Sequence, residues 1–436
     1  MRKQQISNAA MLAGAILALA AGKSVADDDS EPGWSRHFYD VHVLVSDGST
    51  TSDFTDGNLV NAWGVAFNPQ AVVWIADNHT GKATLYDGTG KANALVVAIP
   101  PAPGETAGSP TGIVFSGGSD FVVNGKTPQN TDGSGPARFI FASEGGQITG
   151  WAPNVNTART FLAVDNSAQG GPGRAIYKGL ALGGNGTTHL LYATDFHNGR
   201  VDVFDGAFKP ASLPAGAFRD PFLPKGFAPF GVQAINGDIV VTFAKQDGDA
   251  EDDVHGKGLG FVDVFDPSGT LVQRLGDHIV LNAPWGIALA PASFGPFGGA
   301  LLIGNFGDGM INAFSPVTGH FLGSLRDSHG RRIKIDGLWG IQFGNGLLSQ
   351  ETNALYAAAG PGDEEHGTYS VIHAHSPTVV REKAEGAVDP HAARSTAPRP
   401  ARSLRVAVLR RRTDRFPVAG RYARIRSARP ASARRR

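Results

Sequence analysis

Short apolar runs alternate with polar, glycine-bearing turns along most of the chain. The clearest stretch reads Gly64-Val65-Ala66-Phe67, Val72-Val73-Trp74-Ile75-Ala76, Ala83-Thr84-Leu85-Tyr86 and Ala94-Leu95-Val96-Val97-Ala98-Ile99. Between the runs stand Asp77-Asn78-His79-Thr80-Gly81 and Asp87-Gly88-Thr89-Gly90. Runs this short, bounded by turn formers and filled with β-branched and aromatic residues, predict β-strands rather than helices. The order returns at Leu190–Ala193, Asp195–Gly199 and Val201–Asp205, and again at Leu301–Gly304, Asn305–Gly309 and Ile311–Phe314.

One phrase opens each of these units. It is written as Trp63-Gly64-Val65, Thr111-Gly112-Ile113, Lys178-Gly179-Leu180, Phe230-Gly231-Val232, Trp285-Gly286-Ile287 and Trp339-Gly340-Ile341. An all-β repeat of roughly 50 residues is the signature of a propeller blade. The six copies predict a six-bladed β-propeller over residues 38–374. Blade two is less regular, because the glycine-rich stretch Asn124 to Gly135 expands one loop. Blade six is a strand short, whereas Phe38-Tyr39-Asp40-Val41-His42-Val43-Leu44-Val45 is a strand without a blade. A ring avoids an exposed sheet edge by joining its ends, so this N-terminal strand is expected on the outside of blade six.

Composition changes the picture at both ends. Arg2 and Lys3 precede an apolar stretch from Ala9 to Ala21, too short to span a bilayer, and Ser24-Val25-Ala26 offers a cleavage site. Residues 1–26 therefore read as an export signal and 27–37 as a short linker, giving a periplasmic or secreted protein without a transmembrane segment. Residues 375–436 read as a disordered Arg/Ala/Pro-rich tail, too poor in apolar surface to offset its ordering entropy. This tail holds 17 of the 39 basic residues but four of the 39 acidic ones, so the formal charge of zero conceals an acidic body. Its excess is on the order of 15 negative charges, which disfavours nucleic acid as a partner of the propeller. The absence of cysteine excludes disulfides, thiolate metal sites and a cysteine nucleophile. A monomer is expected.

In a propeller the loop into each innermost strand and the loop between second and third strands open on one face. That face collects Trp63, Phe230, Trp285 and Trp339 from the repeated steps. It also collects Asp77, Asn78, His79, Asp195, His197, Asn198, Lys245, Gln246 and Asn305 from the second loops, with Glu364, Glu365 and His366. Aromatics around an acid- and His-bearing mouth form a plausible ligand site; turn capping and blade packing are the competing explanations. Asp247, Asp249, Asp252 and Asp253 alternate in a glycine-containing loop and could supply oxygens to Ca²⁺, although the spacing is not that of an EF-hand. A solvated acidic loop is the other explanation. There is no G-x-S-x-G elbow, H-E-x-x-H or P-loop.

The phrases Leu59-Val60-Asn61-Ala62-Trp63-Gly64, Ala228-Pro229-Phe230-Gly231, Gly260–Asp266, Ala283-Pro284-Trp285-Gly286 and Gly304–Gly309 resemble an uncharacterised family of exported bacterial six-bladed propellers. That family is similar in blade pattern to NHL-repeat propellers, and the resemblance spans residues 38 to 374. It implies the fold and no catalytic residues. The leading reading is an extracytoplasmic scaffold that binds a small molecule, glycan or protein at the loop face, without catalysis. The alternative is a calcium-dependent hydrolase or lactonase, in which Asp77, Asn78, Asp195, Asn198, Asp247 and Asn305 converge on a metal. A quinoprotein reading would need a cofactor platform, to which only the tryptophans hint.

Overall fold

A computed structural model describes residues 38–375, apart from 172, 185 and 187. The expected signal and linker, and the basic tail after residue 375, lie outside the described residues. The protein is an all-β, six-bladed propeller. Blade one is formed by Ala62–Phe67, Val73–Asp77, Lys82–Tyr86 and Val97–Ala98, from the axis outwards. Blade two uses Pro110–Phe115, Phe139–Ser143, Gln147–Trp151 and Phe161–Asp165. Blade three has Tyr177–Gly184, His189–Asp195 and Arg200–Asp205; blade four has Phe227–Ile235, Asp238–Lys245, Gly260–Phe265 and Leu271–Arg274. Blade five has Pro284–Leu289, Leu301–Asn305, Ile311–Phe314 and Phe321–Ser324. Blade six begins with Leu338–Phe343, Leu355–Ala359 and Thr368–His375.

The N-terminal strand Phe38–Ser46 completes blade six. It pairs antiparallel with Thr368–His375, from Phe38 opposite His375 to Ser46 opposite Thr368. Phe54–Thr55 then adds a short parallel pairing outside it. The expanded loop of blade two is a hairpin of its own, Val122–Lys126 against Asp132–Pro136. The fourth strand of blade one is shorter than the apolar run 94–99 suggests. Asn93 Oδ1 accepts the Leu95 amide in a local turn, so pairing begins only at Val97.

The repeated glycine has a steric cause. A Cβ on Gly64 would stand 2.4 Å from the Thr111 carbonyl oxygen, and one on Gly112 would stand 2.3 Å from the Leu180 amide. Gly179 faces Phe230 O, Gly231 faces Trp285 O, Gly286 faces Trp339 O, and Gly340 faces Trp63 O, each between 2.1 and 2.9 Å from the missing Cβ. At each inner strand the nearest obstacle is thus backbone of the next blade's step, and the last contact closes the circle. Each step also coincides with a register shift in its strand pairing. Such a bulge re-aims a side chain.

Between neighbouring blades lie separate apolar cores. In blade four, Ile239 and Val241 face blade three, whereas Val240 faces blade five. Both faces of a middle strand are buried, so its apolar run is continuous instead of alternating.

Candidate functional site

The step residues meet on the axis. Trp63 stacks on Trp339 with ring centroids 3.7 Å apart, and Phe306 stacks on Trp339 at 3.8 Å. Trp285 meets Trp339 edge-on at 5.8 Å, and Phe230 approaches it at the same distance. Phe196 packs on Phe230 at 5.2 Å. All four expected aromatics are buried, so they form a plug that fills the channel. Stacked aromatic pairs contribute about 0.5–1.5 kcal/mol beyond the area they bury. Two indoles are anchored: Trp285 Nε1 donates to the Lys178 carbonyl and Trp339 Nε1 to Asn61 Oδ1, both at 3.0 Å. On the far side of the plug the channel holds a cavity of about 30 Å³, bordered by Gln233 and Gln342 among others.

Two step positions are not aromatic. Thr111 Oγ1 donates to the Tyr177 carbonyl at 2.7 Å. Lys178 carries a charge into the mouth. Its side chain is 3 % exposed, yet Nζ donates to Glu144 Oε1 at 2.5 Å and to Asp252 Oδ1 at 3.0 Å. The ammonium also lies 5.4 Å from the Trp63 ring centroid, close enough for a cation–π contact. Burial alone would pull its pKa down, but the two carboxylates outweigh that and push it up. Lys178 is therefore a fixed cation and not a nucleophile at neutral pH.

Around it runs a hydrogen-bonded network from several blades. Asn78 Nδ2 donates to Glu144 Oε2 at 2.9 Å, and Asn61 Nδ2 donates to Glu364 Oε2 at 2.5 Å. Burial, reinforced by the negative charge of Glu144, pushes the Glu364 carboxyl up to about 7. Asn61 is fully buried with φ of 48°, a left-handed conformation uncommon for a non-glycine residue. It ties the plug to Glu364 by bonding both. His255 stands at the same rim, 3.1 Å from Asp253 and edge-on to Phe306 at 5.1 Å. Its hydrogen bond to Asp253 raises its pKa, with smaller contributions from Glu364 and Asp308.

Of the sequence candidates, Trp63, Phe230, Trp285, Trp339, Asn78, Asp252 and Glu364 come together in this plug and network. Others serve their own turns. Asp195 accepts from the Ile176 and Asn198 amides and from Asn198 Nδ2, and it pairs with Arg200 at 3.1 Å. Asn198 Nδ2 also donates to the Arg174 carbonyl. Asn305 Nδ2 donates to Val280 O and Asp308 Oδ1. Asp77 is fully buried at the end of its strand, and burial raises its pKa well above the ordinary carboxylate range. Gln246 donates to the Phe196 carbonyl, and His197 Nδ1 lies 3.1 Å from the Ala250 carbonyl. Lys245 reaches outwards to Lys225 O and the Phe227 ring, and His79 is exposed.

The acidic loop does not gather its carboxylates. Asp247 Oδ1 accepts the Glu251 amide, Asp252 turns to Lys178, Asp253 faces His255, and Asp249 is exposed. Among the described residues no group of three His, Asp or Glu side chains is placed to hold a metal ion. Of the six residues of the calcium alternative, Asp77, Asp195 and Asn305 are buried at the ends of strands in blades one, three and five.

The sequence did not mark Lys178, Glu144 and Asn61 as members of the site, whereas Glu364 was already expected on this face. Lys178 was legible as the charged member of six otherwise uncharged steps. Glu144 occupies the second loop of blade two, between Phe139–Ser143 and Gln147–Trp151, where the hairpin insertion hides the frame.

No protein-family model matches the chain. Uncharacterized protein R648 of Acanthamoeba polyphaga mimivirus is 31 % identical over 307 residues, 69 % of this chain and 72 % of that protein. Uncharacterized protein L690 of the same virus is 30 % identical over 311 residues, 69 % of this chain and 78 % of that protein. Among solved structures, a streptogramin B lyase superposes with a TM-score of 0.46 at 13 % identity, covering 79 % of this chain and 100 % of its own. The soluble aldose sugar dehydrogenase of Escherichia coli gives 0.45 at 13 % identity, covering 77 % of this chain and 99 % of its own. Identities and scores at this level carry no argument about substrate or reaction.

Proposed function

The chain belongs to the family of the mimivirus proteins R648 and L690, and on that premise we propose that it is a ligand-binding propeller whose loop face is the recognition surface. The observation that carries this reading is Lys178, a buried cation held by Glu144 from blade two and Asp252 from blade four. Placing such a charge in the channel mouth is costly to the fold unless it is paired, and perturbed charged groups in a concavity concentrate at functional sites. The groups around it are mostly acceptors: Glu144, Glu364 and Asp252. They favour a small polar ligand that donates hydrogen bonds or carries positive charge. In this reading the aromatic plug underlies the site, with Lys178 against the Trp63 ring.

Thermal-shift titration with spermidine, glucosamine and Ca²⁺ tests the reading. A saturable rise in Tm with one of these probes, lost in Asn78→Ala, is expected. No shift with any of the three would sink it.

A catalytic reading draws on one observation, the Glu364 carboxyl near 7, which is the range of a general acid or base at neutral pH. Export and the bacterial NHL-like affiliation belong to the same proposal, supported by residues 1–26 and by the blade phrases. Mass spectrometry of the secreted chain should find Asp27 at its N-terminus; an intact Met1 would argue against export by cleavage. Among the described residues no helix is long and apolar enough to cross a membrane.

A further inference from the structure

Away from the mouth, one buried charge cluster is out of balance. Residues 206–226 connect blade three to blade four, running beside the third strand of blade three, where Phe204 bridges Pro210 and the Ala211 amide donates to Val203 O. Phe218 anchors the connector between Tyr192 at 5.6 Å and Phe265 at 5.2 Å, and its amide donates to Gly269 O. The connector leads directly into Phe227–Ile235, the strand that carries Phe230 of the plug. Its own charged side chain tied to blade four is Asp220, whose Oδ1 also accepts the Phe222 amide at 2.7 Å and so fixes the rotamer.

Asp220 pairs with Arg274 on the outer strand of blade four. The same guanidinium is bonded to Asp263, Nε to Oδ1 at 2.9 Å, and lies 5.1 Å from the Phe261 ring centroid. The side chains of Asp263 and Asp220 are 0 % and 1 % exposed. Two buried carboxylates therefore share a single guanidinium. Arg274 and Asp220 are the charged groups that face Asp263, one from its own sheet and one from the connector.

We propose that Asp220, Arg274 and Asp263 form a proton-sensitive clamp that holds the connector more tightly in mild acid than at neutral pH. With one proton on Asp263 the triad is electrically neutral and Arg274 remains paired with Asp220. Without it, the buried triad carries an uncompensated negative charge, which opening of the connector relieves by hydration. The direction agrees with the Asp263 carboxyl, which burial pushes up to about 6. A carboxyl raised in the closed state binds its proton more weakly once opened, so closure is favoured below about 6 and the advantage fades above it.

Hydrogen–deuterium exchange of the full chain, corrected for intrinsic rates, reads this directly. Peptides within 207–226 should open about tenfold less at pH 5 than at pH 7.5, relative to peptides of blade five. Asp263→Asn replaces the acid by a neutral isostere and should flatten this ratio to near one, with the connector protected at both pH values. Asp220→Asn leaves one carboxylate per guanidinium and should flatten it as well. Equal opening of the wild-type connector at the two pH values overturns the proposal, as does a tenfold ratio that survives Asp263→Asn. Should either variant fail to fold, the other decides, and the wild-type ratio stands as a test in itself.

Discussion

Gly340 lies against the carbonyl oxygen of Trp63, so close that a Cβ at position 340 would stand 2.6 Å from it. This contact joins the last blade to the first; Gly64, Gly179, Gly231 and Gly286 likewise face a carbonyl oxygen of the next blade, and Gly112 faces the Leu180 amide. Gly340→Ala must push two inner strands apart, because the obstacle is backbone and not a flexible side chain. A loss of about 1–3 kcal/mol is expected, the usual cost of overpacking. Urea unfolding should show a lower midpoint at unchanged slope. Gly57→Ala is the control, since nothing lies within 4 Å of its Cβ position. Equal midpoints for the two variants would remove the steric account of the repeat.

Lys178 invites a double-mutant cycle. Lys178→Met leaves Glu144 facing Asp252 and Glu364 without its cation, and breaking a buried pair costs about 3–5 kcal/mol. Asp252 is 76 % exposed and can hydrate, so the loss should fall at the lower end. Adding Glu144→Met removes the stranded charge and should recover part of the stability. A double variant no more stable than the single one would show that Lys178 and Glu144 are not coupled.

Glu364 sets a pH dependence of defined sign. Its folded-state carboxyl is pushed up to about 7 from an ordinary value of 4.5. The folded protein therefore holds this proton more tightly than the unfolded chain across that window. Its contribution to stability is greatest below about 4.5 and declines as pH rises to about 7. Glu364→Gln should abolish that decline and stabilise the protein at pH 8. The readout is the difference between wild-type and variant melts at pH 5 and 8. A constant difference would place the Glu364 carboxyl in its ordinary range.

The ring was legible in the sequence because its cause is local and repeated. Each glycine answers one backbone contact, and each middle strand is apolar on both faces for the same reason. Even the fate of Phe38–Val45 followed from counting strands. The site was less legible because its parts join across the axis. Glu144, Lys178, Asp252 and Glu364 come from blades two, three, four and six, and no spacing in the chain links them. The step aromatics illustrate the same limit. Their positions were visible, but the stacking of Trp63, Trp339 and Phe306 into a plug depends on the diameter of the closed ring. Asp77, Asp195 and Asn305 are ambiguous in the sequence because turn caps and metal ligands use the same side chains.

Ring closure by the N-terminal strand gives the last prediction. Tyr39 on that strand packs against Phe294 at 4.9 Å, and its hydroxyl donates to the Phe294 carbonyl at 3.2 Å. Val41 pairs with Ile372, and Leu44 and Val45 enter the core between blades six and one. A chain beginning after Ser46 would expose Val371, Ile372 and the free edge of Thr368–His375, an open template for pairing with another chain. Light scattering should find aggregates or dimers where the longer chain is uniform. A synthetic peptide spanning residues 36–47 should restore the uniform species and its melting transition, because the strand contributes by pairing and packing and needs no covalent link to blade one. A monomeric, fully stable truncated chain would mean that three strands suffice for blade six and that closure rests on the remaining contacts between blades six and one.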